Sequence, residues 1–81
     1  MKKVYCVELK EPQDGEKRLN FFGSQAAIFQ HMDSGRLGIK YSSLRANYNV
    51  AQQDYENAQC RITFGWLLQA KRNIIDTDNN D

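Results

Sequence analysis

A change of hydrophobic period at Gly23-Ser24 constrains this chain more than any other feature. Before it, apolar residues alternate over residues 3–9 and again over 17–22, the period of a half-buried strand. Pro12 and the pair Asp14-Gly15 lie between these runs and mark a turn, so the two strands are expected to form an antiparallel hairpin. After the change, residues 22–48 read FGSQAAIFQHMDSGRLGIKYSSLRANY. Two helix-like runs there flank a link rich in turn residues. Ser24 is placed to cap the first run, because its hydroxyl can accept from a free amide of the first turn. Ala27, Ile28 and Met32 follow at helical spacing, and Asp33-Ser34-Gly35 ends the run.

The link Leu37-Gly38-Ile39 sets two apolar side chains around a glycine and is expected to pack on the core. Ser42 or Ser43 is the expected cap of the second helix, with Leu44 and Tyr48 sharing its inward face and Tyr41 three residues before Leu44. Residues 50–57 read as a polar loop. Residues 59–64 alternate again, with Cys60, Ile62 and Phe64 on one side and Arg61 and Thr63 on the other. Gly65 reads as a turn or bulge before a further strand segment; a helix from Trp66 competes for residues 66–73, since Leu, Gln, Ala, Lys and Arg are good helix formers. The pattern is α+β: an N-terminal β-hairpin, two short helices in a helix-turn-helix-like corner, and a C-terminal strand or hairpin.

Eighty-one residues fit one small domain, with the core spread over residues 1–75 and DTDNND at 76–81 read as an acidic, disordered tail. No apolar run approaches the roughly 20 residues that span a bilayer, and residues 4–9 are too short and polar for a signal-peptide core. The expectation is a cytoplasmic protein with no membrane association. Cys6 and Cys60 are the only cysteines. They are expected to be reduced and buried in the sheet, as small apolar residues in a reducing compartment.

The net charge is +1, yet residues 1–75 hold eleven bases against seven acids. Four of the excess positive charges fall in residues 34–75, where Arg36, Lys40, Arg45, Arg61, Lys71 and Arg72 face only Asp54 and Glu56. Catalytic chemistry finds no support. His31 is the single histidine and reads as a surface residue, Glu8, Glu11, Asp14 and Glu16 sit among Lys10, Lys17 and Arg18, and Gly35-Arg36-Leu37-Gly38 lacks the length and lysine of a phosphate loop. Cys6, Cys60 and His31 do not make a zinc set. The chain is read as no enzyme and as needing no cofactor.

The second helix carries the functional expectation. A recognition helix keeps one face in the core and presents the other to a groove about 12 Å wide. Leu44 and Tyr48 would anchor it, leaving Lys40, Ser42, Ser43, Arg45 and Asn49 outward. Arginine can read guanine, asparagine can read adenine, and serine reaches phosphates. Arg61, Lys71 and Arg72 would add backbone contacts, making double-stranded DNA the expected partner. The alternative is a protein-interaction module, as a homodimer or with another protein; an exposed sheet edge or aromatic cluster would favour it.

Phe22, Ser24, Ala26, Ala27, Leu37, Gly38, Ile39, Ser42, Ser43, Gly65 and Trp66 together resemble the modular DNA-binding (NUMOD-type) segments appended to homing endonucleases. Those segments run from an aromatic-x-Ser start through an alanine-rich helix, Leu-Gly-Ile and a serine-rich short helix to a glycine-aromatic strand. The resemblance covers residues 18–70. It departs where residues 30–36 separate the alanine helix from Leu-Gly-Ile, which the family joins directly. It implies DNA binding without nuclease activity. The layout is also similar to small accessory proteins of phages and mobile elements.

Overall fold

β-Branched and aromatic residues at alternate positions make β1, Lys2–Leu9, the centre of a four-stranded antiparallel sheet. These elements come from a computed structural model that describes residues 2–68. β2 (Leu19–Phe22) pairs with one side of β1, with Tyr5 opposite Phe22 and Glu8 opposite Leu19. β4 (Cys60–Leu67) pairs along the whole of the other side, from Lys2 opposite Leu67 to Leu9 opposite Cys60. A two-residue strand, β3 (Tyr55–Glu56), completes the order β2-β1-β4-β3. Three helices lie between β2 and β3 in sequence: α1 (Gln25–His31), α2 (Ser34–Leu37) and α3 (Tyr41–Asn47). The α+β class and the N-terminal hairpin are as the sequence pattern predicts.

Period two decides which face the helices cover. Tyr5, Val7 and Leu9 of β1 point the same way as Cys60 and Ile62 of β4, and all five are buried. Ile28, Leu37, Leu44 and Val50 come down on them from the helical layer, with Phe22, Phe29, Met32, Ile39, Tyr55 and Phe64 packed around the margin. No described element covers the opposite face, which carries Leu19, Phe21, Val4, Cys6 and Thr63. Cys60 is fully buried but Cys6 lies on that other face and is only partly covered. Both thiols are free, and burial pushes both above their ordinary pKa, the Glu8 carboxylate adding to the effect at Cys6.

Ser24 caps α1 as expected, its hydroxyl accepting from the Ala27 amide at 3.0 Å. Several local expectations are corrected. The link after α1 is itself helical: Asp33 accepts from the Gly35 amide at 2.9 Å and starts α2. Gly38 ends it at φ 78°, a conformation that favours glycine, and an added Cβ there would run into the Gln59 side chain. Neither Ser42 nor Ser43 caps α3. The helix begins a residue earlier at Tyr41, with Lys40 as an N-cap that supplies no side-chain bond. Tyr41 stacks on Phe29 at 5.3 Å between ring centroids, and this packing fixes the start. Tyr48 is not buried beside Leu44. It terminates α3 in extended conformation and is 49% exposed. Gly65 makes no turn: β4 runs straight through it, opposite Val4. The helix alternative for 66–73 fails at Trp66 and Leu67, which lie in β4; residues 69–73, and the acidic tail at 76–81, lie outside the described residues. Within the loop expected over 50–57, Val50 is buried and Tyr55–Glu56 forms β3.

Two polar clusters tie the helical layer to the sheet. Asn57, in the β3–β4 turn, donates through Nδ2 to the Leu37 carbonyl at 2.9 Å and to the Tyr55 hydroxyl at 3.0 Å. Its Oδ1 accepts from the amides of Gln59 at 2.7 Å and Cys60 at 2.9 Å. In the second cluster, Arg36 Nε donates to both Glu16 carboxylate oxygens at 3.1 and 2.9 Å, and Nη2 reaches Glu16 Oε1 at 2.7 Å and the Glu11 carbonyl at 2.8 Å. The Arg36 bonds, helped by the Gln13 amide, hold the Glu16 carboxyl below the ordinary glutamate range.

Two outcomes follow for stability. Asn57→Ala strips the turn of all four bonds and should cost about 1–3 kcal/mol in denaturant unfolding, with faster hydrogen exchange at the Gln59 and Cys60 amides; an unchanged midpoint would show that the turn holds itself. Glu16 has its folded pKa depressed, so its contribution is present above the ordinary value of about 4.3 and is lost as pH falls through the lower folded value. Glu56, depressed in the same sense by Lys10, adds a similar dependence. Melting temperature should therefore fall on acidification below that range. Glu16→Gln should flatten the fall only in part, as thermal melts across the acid range would show.

Candidate nucleic-acid interface

Leu44 is the one fully buried side chain of α3, with Tyr41 packed on Phe29 at its start. With Leu44 inward, Ser42, Arg45 and Ala46 stand on the outer surface and Asn49 follows exposed after the helix; Ser43 is half-buried. Lys40 is exposed at the N-cap. Among the described residues neither Lys40 nor Arg45 makes an ion pair. Arg45 lies over the Tyr41 ring at 5.6 Å from its centroid. Since Tyr41 rests on Phe29, a stack of α1 aromatic, α3 aromatic and guanidinium places Arg45 against the helical layer while leaving it accessible.

The carboxyl end of α3 forms one wall of a recess lined by Gln25, Arg45, Ala46, Asn47, Tyr48 and Asn49. Gln25 enters from the first turn of α1, which packs against α3. The lining holds two asparagines, a glutamine, an arginine and a phenol, and no carboxylate. Asn49 also accepts from the Gln52 and Gln53 amides, each at 3.0 Å, so a closed turn holds the backbone of this wall. The Tyr48 ring meets Tyr55 edge-on at 4.7 Å. Beyond Tyr48 the surface changes: the neighbouring hollow includes Asp54 and Glu56, paired with Arg61 and Lys10.

Of the eight residues expected to contact nucleic acid, Lys40, Ser42, Arg45 and Asn49 are exposed on the α3 surface, with Ser43 partly covered at its edge. Arg61 is not brought to them. It points from β4 to the face opposite the helices, paired with Asp54 at 2.7 Å. Lys71 and Arg72 lie outside the described residues. Arg36, counted in the basic excess, is consumed by Glu16. Sequence reasoning missed Gln25 and Asn47. Asn47 belongs to the amide-rich run Asn47, Asn49, Gln52, Gln53, a visible signal. Gln25 joins only through the packing of α1 on α3, which the sequence does not display.

Among the described residues no group of three or more His, Cys, Asp or Glu side chains is arranged to hold a metal ion, and no helix is long and apolar enough to cross a membrane. His31 is exposed beside Phe22, 6.2 Å between ring centroids. Comparison with known protein families, with characterised proteins and with solved structures finds no match to this chain.

The aromatic support of Arg45 is measurable. In a double-mutant cycle of Tyr41→Leu and Arg45→Gln, unfolding free energies should give a coupling of about 0.5–1 kcal/mol. Leucine keeps the apolar contact with Phe29 but offers no ring face. Additive changes would show that Arg45 is not held by Tyr41.

Proposed function

We propose that this protein binds double-stranded DNA, with α3 entering the major groove. The observation that carries this reading is the carboxylate-free recess in which Arg45, Asn47, Asn49 and Gln25 converge beside the exposed Lys40 and Ser42. The major groove is wide enough for a helix. Arginine makes paired bonds to guanine, and asparagine and glutamine do so to adenine. Lys40 and Ser42, toward the other end of α3, suit phosphate oxygens, which set register without reading sequence. Arg61 takes no part in this interface, since a duplex lying on α3 has the sheet between it and that side chain.

Electrostatics bounds the affinity. The α3 surface supplies two cations, Lys40 and Arg45, that make no ion pair among the described residues. Each phosphate neutralised on B-DNA contributes about −0.9 to the slope of log affinity against log salt. With Arg45 given to bases and Lys40 to phosphate, the described surface gives a slope of about −1, and Lys71 and Arg72 would steepen it if they also touch phosphate.

A preferred site selected from random duplex, then titrated at two salt concentrations, tests the reading. Arg45→Ala should cost about 1–3 kcal/mol on that site and relax its specificity. Lys40→Ala should weaken all sequences alike and flatten the salt slope by about 1. Arg61→Ala should bind as wild type. No binding at low salt, where attraction is strongest, would sink the proposal.

A further inference from the structure

β2 is the outermost strand on its side of the sheet, and nothing described pairs with its outer edge. Its residues alternate between faces: Asn20 and Phe22 lie opposite Val7 and Tyr5 on the helical side, while Leu19 and Phe21 lie opposite Glu8 and Cys6 on the bare side. A single groove is lined by all four of these residues together with Lys17, and with His31 and Met32 at the end of α1. Side chains from both faces of one strand share a groove only where the groove follows the strand's edge. Its far wall is the end of α1 remote from Gln25, so it is separate from the α3 recess.

We propose that this groove is a strand-addition site for an extended peptide of another protein, apolar on both sides and carrying a carboxylate toward its C-terminal end. An edge strand presents a row of unpaired amides and carbonyls, which sheet proteins commonly blunt with a charge, a proline or a bulge. Leu19-Asn20-Phe21-Phe22 has no charge and no proline. A strand added there takes its affinity from the backbone and its specificity from alternate side chains. One set meets Phe22 and Met32, with Asn20 and His31 beside them. The other meets Leu19 and Phe21, which are 49% and 64% exposed. Each side therefore offers apolar contact, through Phe22 and Met32 on one and Leu19 and Phe21 on the other.

Charge fixes the rest. Lys17 is the groove's only fixed charge, and it makes no ion pair among the described residues. It precedes β2, so a peptide running antiparallel, the more stable pairing, brings its C-terminal end to the ammonium. A second copy of this chain is a poorer occupant. Pairing two four-residue edges offers no carboxylate to Lys17, and so short a contact falls well short of the roughly 800 Å² per partner of a stable interface.

The test is selection of short random peptides, displayed on phage, against the full chain, followed by titration of a selected peptide. Enriched sequences should alternate apolar residues and carry Asp or Glu in their C-terminal half. Amide shifts and slowed exchange should fall on Leu19–Phe22 and the end of α1. Lys17→Glu, on an exposed loop residue, should weaken the peptide roughly tenfold and reverse the preferred charge in a fresh selection. Phe21→Asp should also weaken it without altering the melt. No enrichment, enrichment without an acid, shifts away from β2, indifference to Lys17→Glu, or a dimer in sedimentation whose contact is β2 would each overturn the proposal.

Discussion

The helical layer hangs on the carbonyl end of α2. Four residues do not make a stable helix in isolation, because nucleation costs more than one turn returns. α2 exists because both of its ends are closed from outside. Asp33 caps its amides. At the other end Gln59 donates to the Gly35 and Arg36 carbonyls at 3.2 Å, and Asn57 and the Cys60 thiol donate to that of Leu37 at 2.9 and 3.4 Å. Asn57 and Gln59 lie in the β3–β4 turn and Cys60 opens β4. Holding α2 there buries Leu37, sets Gly38 in its left-handed conformation and aims the chain into α3, so Leu44 reaches the core and Arg45 faces outward. The position of the candidate reading residues is thus set by a turn some 20 residues away in sequence.

The same docking changes the charge balance that the sequence suggests. Arg36 cannot serve a ligand while its guanidinium joins Glu16 to the Glu11 carbonyl; both side chains are largely covered, at 18% and 28% exposure. Arg61 and Lys10 are likewise matched, to Asp54 and Glu56. The surplus of bases in the second half of the chain therefore shrinks, on the described α3 surface, to Lys40 and Arg45. On the proposed reading, selectivity at the described α3 surface would rest on hydrogen-bonding groups and shape rather than on a broad positive field.

The alternating runs, the switch at Gly23-Ser24, the Ser24 cap and the burial of Leu44 were all legible in the sequence, because each depends on neighbours within a few residues. Tyr48 misled for a definite reason. A spacing of four places two side chains on one face only while the helix continues, and α3 stops at Asn47; in extended conformation Tyr48 turns to Tyr55 instead. The serines misled because a good cap residue is optional when packing, here Tyr41 on Phe29, already sets the start. Gly65 reads as a breaker in isolation, but β1 supplies a full-length neighbour and the strand goes through. α2 was illegible because the bonds that close its carbonyl end come from distant residues. Arg61 differs, since the alternation that put Cys60 and Ile62 inward already placed it on the far face. The error lay in joining it to the helix patch on charge alone.

α1 links the two surfaces and also keeps them apart. Gln25, in its first turn, enters the recess beside Arg45, while His31 and the C-capping Met32 wall the groove along β2. Between them Ile28 is fully buried, Phe29 stacks on Tyr41, and Ser24 closes the amino end. A helix of seven residues held at its start, middle and one flank has little freedom to tilt without opening the core at Ile28. A ligand at one end thus finds the other end already formed, whether or not its site is filled. One route of coupling between sites is an element with two arrangements of similar energy, and the contacts of Ile28, Phe29 and Ser24 favour one. On the two proposed readings, partners at the opposite ends of α1 would sit side by side rather than one being conditional on the other.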